Sequence, residues 1–154
     1  MPTAYILVGV PGSGKSTWIK NQTWTKDCTV VSTDAYIDAV ADREGKTYND
    51  VFKDNMNDAV SHMTSAVNDA IERGADIIWD QTSVSVASRK KKFNMLKGYK
   101  MIAVVFRTPE AGEWQRRINS RPGKHIPTHV LESMANNFEM PTIEEGFDEV
   151  WHAQ

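Results

Sequence analysis

A lysine and a hydroxyl residue placed side by side behind a run of glycines can hold a chain of phosphates. Residues 9–18 read GVPGSGKSTW, and GVPGSGKS fits the pattern G-x-x-x-x-G-K-[ST]. Backbone N–H groups reach a phosphate closely only where a Cβ is missing or where the chain takes positive φ. Gly9, Gly12 and Gly14, with Ser13 between them, supply such a loop. A helix opening near Lys15 turns its unpaired N–H groups toward the same anion. Lys15 then serves as a point charge on the β- and γ-phosphates, the Ser16 hydroxyl as a ligand of Mg²⁺, and Thr17 as a donor to the α-phosphate.

Two acids and a group of cations extend this chemistry. STDAY follows the apolar TVV and sets Asp34 at the end of a strand, where a carboxylate can accept the proton of an attacking hydroxyl. Thr33 or Asp34 is equally placed to cap the next helix. In IIWDQTS, Asp80 holds a second strand end and can bind Mg²⁺ through water, or act as a helix cap. WQRRINSRPGKHIP gathers Arg116, Arg117, Arg121 and Lys124 around the turn signal of Pro122 and Gly123. A basic lid closing over transferring phosphate suits that clustering, whereas each arginine alone also suits a solvated helix face.

The elements that position these groups are legible in the hydrophobic pattern. Short β-branched runs at AYILV, TVV, DIIWD and MIAVVF are each followed by a polar stretch with helical spacing, as in a parallel sheet covered on both faces. Helices are expected at residues 15–21, 34–43, 48–73 and 86–96, with Pro109 opening one to about residue 120 and Pro127 another to about residue 138. Within the long one, Val51, Phe52, Met56, Val60, Met63, Val67 and Ile71 step by three or four toward a core, and Gly74 stops it.

Composition narrows the class. The 154 residues fit one domain with its own core, 1–154, and carry no apolar run long enough for a bilayer. MPTAYILVG reads as a strand rather than a signal peptide, so a cytoplasmic protein with no membrane partner is expected. The single cysteine, Cys28, sits in CTVV and reads as a buried thiol, and one cysteine with four histidines argues against zinc. Net charge is −2, yet residues 89–124 hold eleven Lys and Arg against Glu110 and Glu113. That local surplus matters only beside a bound anion.

Taken in order, GVPGSGKSTW, STDAY, IIWDQTS with Arg89 behind it, RINSRPGKHIP and NFEMPTIEEGF resemble the polynucleotide 5′-hydroxyl kinase domain of phage and metazoan end-healing enzymes, from Tyr5 to about Val150. The resemblance implies a P-loop kinase three-layer sandwich, α/β, with about five parallel strands in the order 2-3-1-4-5, helices on both faces and a basic lid. It implies transfer of the ATP γ-phosphate to the 5′-hydroxyl of DNA or RNA, with Mg²⁺. By position, Lys15 and Ser16 hold phosphate and metal, Asp34 is the general base, and Arg121 is the lid arginine on the β- and γ-phosphates; Arg117, in the same basic segment, is a further candidate contact to the nucleotide. Asp80 matches an aspartate of the third strand. Two places depart from the family. The arginine that grips substrate phosphate in phage members is Ile37 here, and the second acid beside the base is Ala35. Arg43, Lys46 or the RKKK run at 89–92 are the cations available to replace that arginine.

Two other functions fit the same residues. A kinase for a small alcohol, a nucleoside or a modified base shares the cradle, base and lid and differs only in its acceptor pocket. A nucleotide-binding switch or ATPase module shares the cradle but has no use for Asp34 paired with a lid. The final strand, around EVWHA, is expected at an edge, which leaves a dimer through it open.

Overall fold

The computed structural model describes residues 1–153. Five strands, β1 (Thr3–Val8), β2 (Thr29–Val31), β3 (Ile77–Trp79), β4 (Lys100–Val105) and β5 (Glu149–His152), pair in the order β2-β3-β1-β4-β5. Every pairing is parallel, with Ala4 opposite both Ile77 and Met101. The helices are α1 (Lys15–Asn21), α2 (Thr33–Glu44), α3 (Tyr48–Arg73), α4 (Val86–Met95), α5 (Ala111–Asn119) and α6 (Thr128–Asn136). This is the expected P-loop kinase sandwich, with helices on both faces of the sheet. A 3₁₀ turn at Thr23–Asp27, unforeseen in the sequence, carries the chain from α1 into β2.

Side-chain alternation along the strands decides what covers each face. Ala4, Ile6 and Val8 of β1 share one face with Ile77, Trp79, Met101 and Ala103, and there Met63, Val67 and Ala70 of α3 and Leu96 close the core. Leu7, Ile78, Ile102 and Val104 look the other way, toward Trp18 and Ile19 of α1. Trp18 meets Phe106 edge-on at 5.9 Å. Cys28 lies on that second face and is half-buried, so the sealed thiol expected from its apolar neighbours is not found; it sits beside the sheet's β2 edge.

The long helix α3 begins where Thr47 and Asp50 cap each other, the Thr47 Oγ1 accepting from the Asp50 N–H at 3.2 Å and the Asp50 carboxylate from the Thr47 N–H at 3.0 Å. Its buried stripe is Val51, Ala59, Met63, Val67 and Ala70, which corrects the expected one: Phe52 and Val60 are exposed. Ala59 and Ala70, absent from the expected stripe, are fully buried. The first half of the buried stripe packs on Ile37, Val40 and Ala41 of α2.

The basic run 89–92 is divided, Lys90 and Lys91 being exposed while Arg89 and Lys92 turn inward. Arg89 is fully buried, and its Nε and Nη2 donate to the two Glu145 oxygens at 2.7 and 2.8 Å. Its Nη1 donates to the Ser83 carbonyl at 2.8 Å. Lys92 is buried too, its ammonium 5.0 Å from the Trp79 ring centroid. Arg89 thus ties the loop after β3 to the segment before β5, and that loop in turn accepts the Gly9 N–H on the Thr82 carbonyl at 2.9 Å.

Removing one partner of a buried ion pair strands the other charge. Glu145→Ala should therefore lower unfolding stability by about 3–5 kcal/mol in urea denaturation. Replacing Arg89 and Glu145 together by apolar residues should recover most of that loss, and a deficit equal to the single variant's would contradict this account.

Candidate active site

The loop between β1 and α1 takes the shape that its glycines permit. A Cβ on Gly9 would stand 2.5 Å from the Ser13 Oγ and 2.9 Å from the Phe106 Cβ, so nothing larger fits. Gly14 precedes α1 at φ 102 and faces open space, a conformation that side chains resist. The Lys15 ammonium folds back over the loop and donates to the Gly9 and Val10 carbonyls, both at 2.9 Å. Burial lowers its pKa to about 8, Lys124 adding to the fall while Asp80 and Asp34 oppose it. The Ser13 Oγ is buried without a hydrogen-bond partner. A tight backbone ring, an orphan hydroxyl and a desolvated ammonium fit an anion that would supply what each lacks.

Asp34 stands one residue inside α2, just beyond the end of β2. Ser32, not Thr33 or Asp34, caps that helix, its Oγ accepting from the Ala35 N–H at 3.4 Å. The Asp34 carboxylate is therefore released to the cleft. Its Oδ1 accepts from the Tyr48 hydroxyl and its Oδ2 from the Lys124 ammonium, each at 2.7 Å. Burial pushes the carboxyl upward, but the hydrogen bonds of Lys124 and Tyr48 and the charges of Lys124 and Arg121 outweigh it and hold the group below its ordinary value. Burial and the neighbouring Asp34 raise the Tyr48 hydroxyl, which stays neutral.

Asp80 follows β3, and it too is no helix cap, since Ser85 caps α4 by accepting from the Ser88 N–H at 3.1 Å. Burial raises its carboxyl, Lys15 opposes the rise, and Asp34 adds to it. The Asp80 carboxylate alone is under that strain, Asp34 being satisfied by Lys124 and Tyr48, and with the Ser16 hydroxyl on the same cleft it suits a divalent cation.

The lid reaches across all of this. The Trp114 indole N–H of α5 donates to the Pro11 carbonyl at 2.7 Å, and the Arg117 Nη1 to the Gly12 carbonyl at 3.2 Å. The Arg121 guanidinium meets the Asp38 carboxylate at 3.3 Å. Beyond Gly123 the loop docks on the first turn of α3, where the Asn49 N–H donates to the Gly123 carbonyl at 3.0 Å and the Asn49 side chain pairs with the His125 backbone. The Lys124 ammonium also lies 4.4 Å from the Tyr48 ring centroid.

One cleft of about 2000 Å³ is lined by Gly12, Ser13, Gly14, Lys15, Ser16 and Thr17. Asp34, Asp80, Arg117 and Arg121 open onto the same space, and Gly9 underlies it. The cations proposed to replace the phage arginine are elsewhere. Arg89 and Lys92 are buried, Arg43 is exposed near the end of α2, and Lys46 pairs with Glu44 at 3.6 Å. Ile37, in the arginine's place, is fully buried among the α2–α3 contacts. Tyr48 was legible in the sequence only as the start of a helix; its bond to Asp34 spans fourteen residues and needs the fold.

Comparison with known proteins adds three findings. Residues 5–141 match the family model described as AAA domain. A bifunctional polynucleotide phosphatase/kinase of Schizosaccharomyces pombe (strain 972 / ATCC 24843) is 25% identical over 150 residues, which take in 94% of this chain and 32% of that protein. The chain thus spans about a third of the length of that curated relative. Among solved structures, a chain of the Pnkp1/Rnl/Hen1 RNA repair complex superposes with a TM-score of 0.65 at 22% identity, over 88% of this chain and 43% of that one. Shikimate kinase from Acinetobacter baumannii superposes with a TM-score of 0.58 at 18% identity, over 100% and 85%. These structural likenesses are of fold.

The lowered Lys15 pKa has a sign that can be read in solution. Between about 8 and 10.5 the unfolded chain binds the lysine proton and the folded chain does not, so stability rises with pH across that window. Thermal melts at about pH 7 and about pH 10 should show the wild type gaining on Lys15→Met as pH climbs. Parallel pH profiles would refute the burial of that ammonium.

Proposed function

The chain belongs to the AAA domain family, and on that premise we propose that it is an ATP-dependent kinase transferring the γ-phosphate to the 5′-hydroxyl of a DNA or RNA end. In this reading residues 1–154 work as one P-loop kinase domain, with ATP and Mg²⁺ as its cofactors. The observation that carries the proposal is the placement of the Asp34 carboxylate on the same cleft as the Lys15 ammonium and the lid cations Arg121 and Lys124. The motif order in the sequence and the likeness to the yeast phosphatase/kinase support the nucleic-acid acceptor.

The backbone N–H groups of Gly12 and Gly14 and the unpartnered Ser13 hydroxyl face the phosphates, Gly9, its own N–H held by Thr82, keeps the space beside Ser13 clear, and Lys15 neutralises the β- and γ-oxygens. Ser16 and Asp80 hold Mg²⁺, which supplies further charge neutralisation when bound. The acceptor oxygen bonds to the γ-phosphorus as the bond from phosphorus to the β–γ bridging oxygen breaks, leaving ADP. Asp34 takes the hydroxyl proton; each of its oxygens keeps a second lone pair beside the bonds from Tyr48 and Lys124. A carboxylate of low basicity suffices, because phosphoryl transfer relies on positioning and charge more than on early proton removal. Arg117 and Arg121 spread the charge of the migrating group.

The burial of Ile37 favours a second reading, a kinase for a small-molecule, nucleoside or modified-base hydroxyl, because no cation stands where phage enzymes grip the substrate phosphate. Incubation with γ-labelled ATP and a panel of 5′-hydroxyl oligonucleotides and small alcohols separates the two by which acceptor carries label. Asp34→Ala should lose about 10²–10⁴-fold in kcat while still binding ATP. Release of free phosphate with no labelled acceptor would refute transfer altogether.

A further inference from the structure

The acceptor half of the cleft has its own chemistry. In the sheet order, Asp34 follows the edge strand β2, and Arg107 follows β4 on the far side of β1. The space beside Asp34 is therefore separate from the side of the phosphate loop that β4 flanks. One wall of it is the face of α3 that carries Tyr48, Phe52 and Met56 at steps of four residues. Met134 of α6, Phe138 and Met140 line the same cleft, and this segment is tied to the loop after β3 by the Glu139 N–H, which donates to the Val84 carbonyl at 2.8 Å.

Tyr48 and Met56 rest on the α2–α3 cluster and Phe138 on the core beneath the sheet, but Phe52 and Met140 stand clear of both. Phe52 is 39% exposed and Met140 53% exposed, on a cleft where burial of apolar groups would otherwise be expected. Tyr48 and Phe52 are neighbouring rings, centroids 5.5 Å apart and tilted by 32°, so an aromatic surface runs outward from the hydrogen bond on Asp34. The cations at that end are opposite acids, Lys124 on Asp34 at 2.7 Å and Arg121 on Asp38 at 3.3 Å.

Resting on the kinase reading above, we infer that this wall is the specificity site for the acceptor. It takes the planar heterocycle that carries the reacting hydroxyl, the base of the terminal nucleoside, by stacking against Phe52 between the α3 and α6 side chains. Grip by stacking takes the place of grip on a substrate phosphate. Methionines suit such a slot, being polarisable and able to follow rings of different size. The consequence is an enzyme that discriminates at the end's base and is comparatively insensitive to salt in its choice of acceptor.

The test uses oligonucleotides of one sequence, ending in an ordinary 5′-nucleoside or in an abasic sugar with the same hydroxyl and phosphates. The wild type should show a KM for the abasic end about tenfold higher than for the base-bearing end, with kcat little changed. Phe52→Ala should raise KM for the base-bearing end by a similar factor and leave the abasic end unaffected, while Phe52→Trp restores discrimination. Phe52 is at the surface, and a thermal melt confirms that each variant is folded. Equal KM for the two ends in the wild type, or a Phe52→Ala effect of the same size on both, overturns the stacking site and leaves the kinase reading intact. Absence of label on any 5′-hydroxyl end overturns both.

Discussion

The inner strands β3, β1 and β4, paired on both edges and largely buried on both faces, have free hydrogen-bonding and charged groups at their ends, and the carboxyl ends of β1, β2 and β3 open into one cleft. The phosphate loop, Asp34 and Asp80 each follow one of these strands, so the register of the sheet sets their spacing before any side chain is placed. The loop after β3 adds a direct tie, since its Thr82 carbonyl holds the Gly9 N–H. Arg89 secures that loop from beneath through Ser83 and Glu145. The sheet and one buried ion pair thus fix the floor of the site.

The roof is held by different forces. Trp114 and Arg117 bond to carbonyls of the phosphate loop, while Lys124 and Arg121 cross to acids on α2. Arg117 and Arg121 are about half exposed, where charge contacts are weak and salt-screened. Lys124 is the exception, shielded between Asp34 and the face of Tyr48. A rigid floor with a roof attached by exchangeable contacts is the arrangement expected where phosphates must enter and leave.

The fold was legible because its signals are local. β-branched runs bounded by polar stretches mark strands, and Gly74 stops α3 at the expected residue. The glycine loop was legible for the same reason, as its residues touch one another. Three things were not. The inward face of α3 includes Ala59 and Ala70, which a count of large apolar residues misses. Arg89 and Lys92 look solvated in a run of four cations, and only Glu145 and Trp79, distant in sequence, explain their burial. Tyr48 enters the site through a bond between two helices whose approach is a tertiary property.

The central position of β1 also bears on how the chain reaches this state. Its partners β3 and β4 lie some 70 to 100 residues further on, at Ile77–Trp79 and Lys100–Val105. As the polypeptide is synthesised, the central strand of the sheet emerges well before the strands that pair with it, and closing loops of that length makes such topologies slow to fold. The nascent strand therefore depends on shelter, from α1 or from a chaperone, until α3 and the strands after it have left the ribosome.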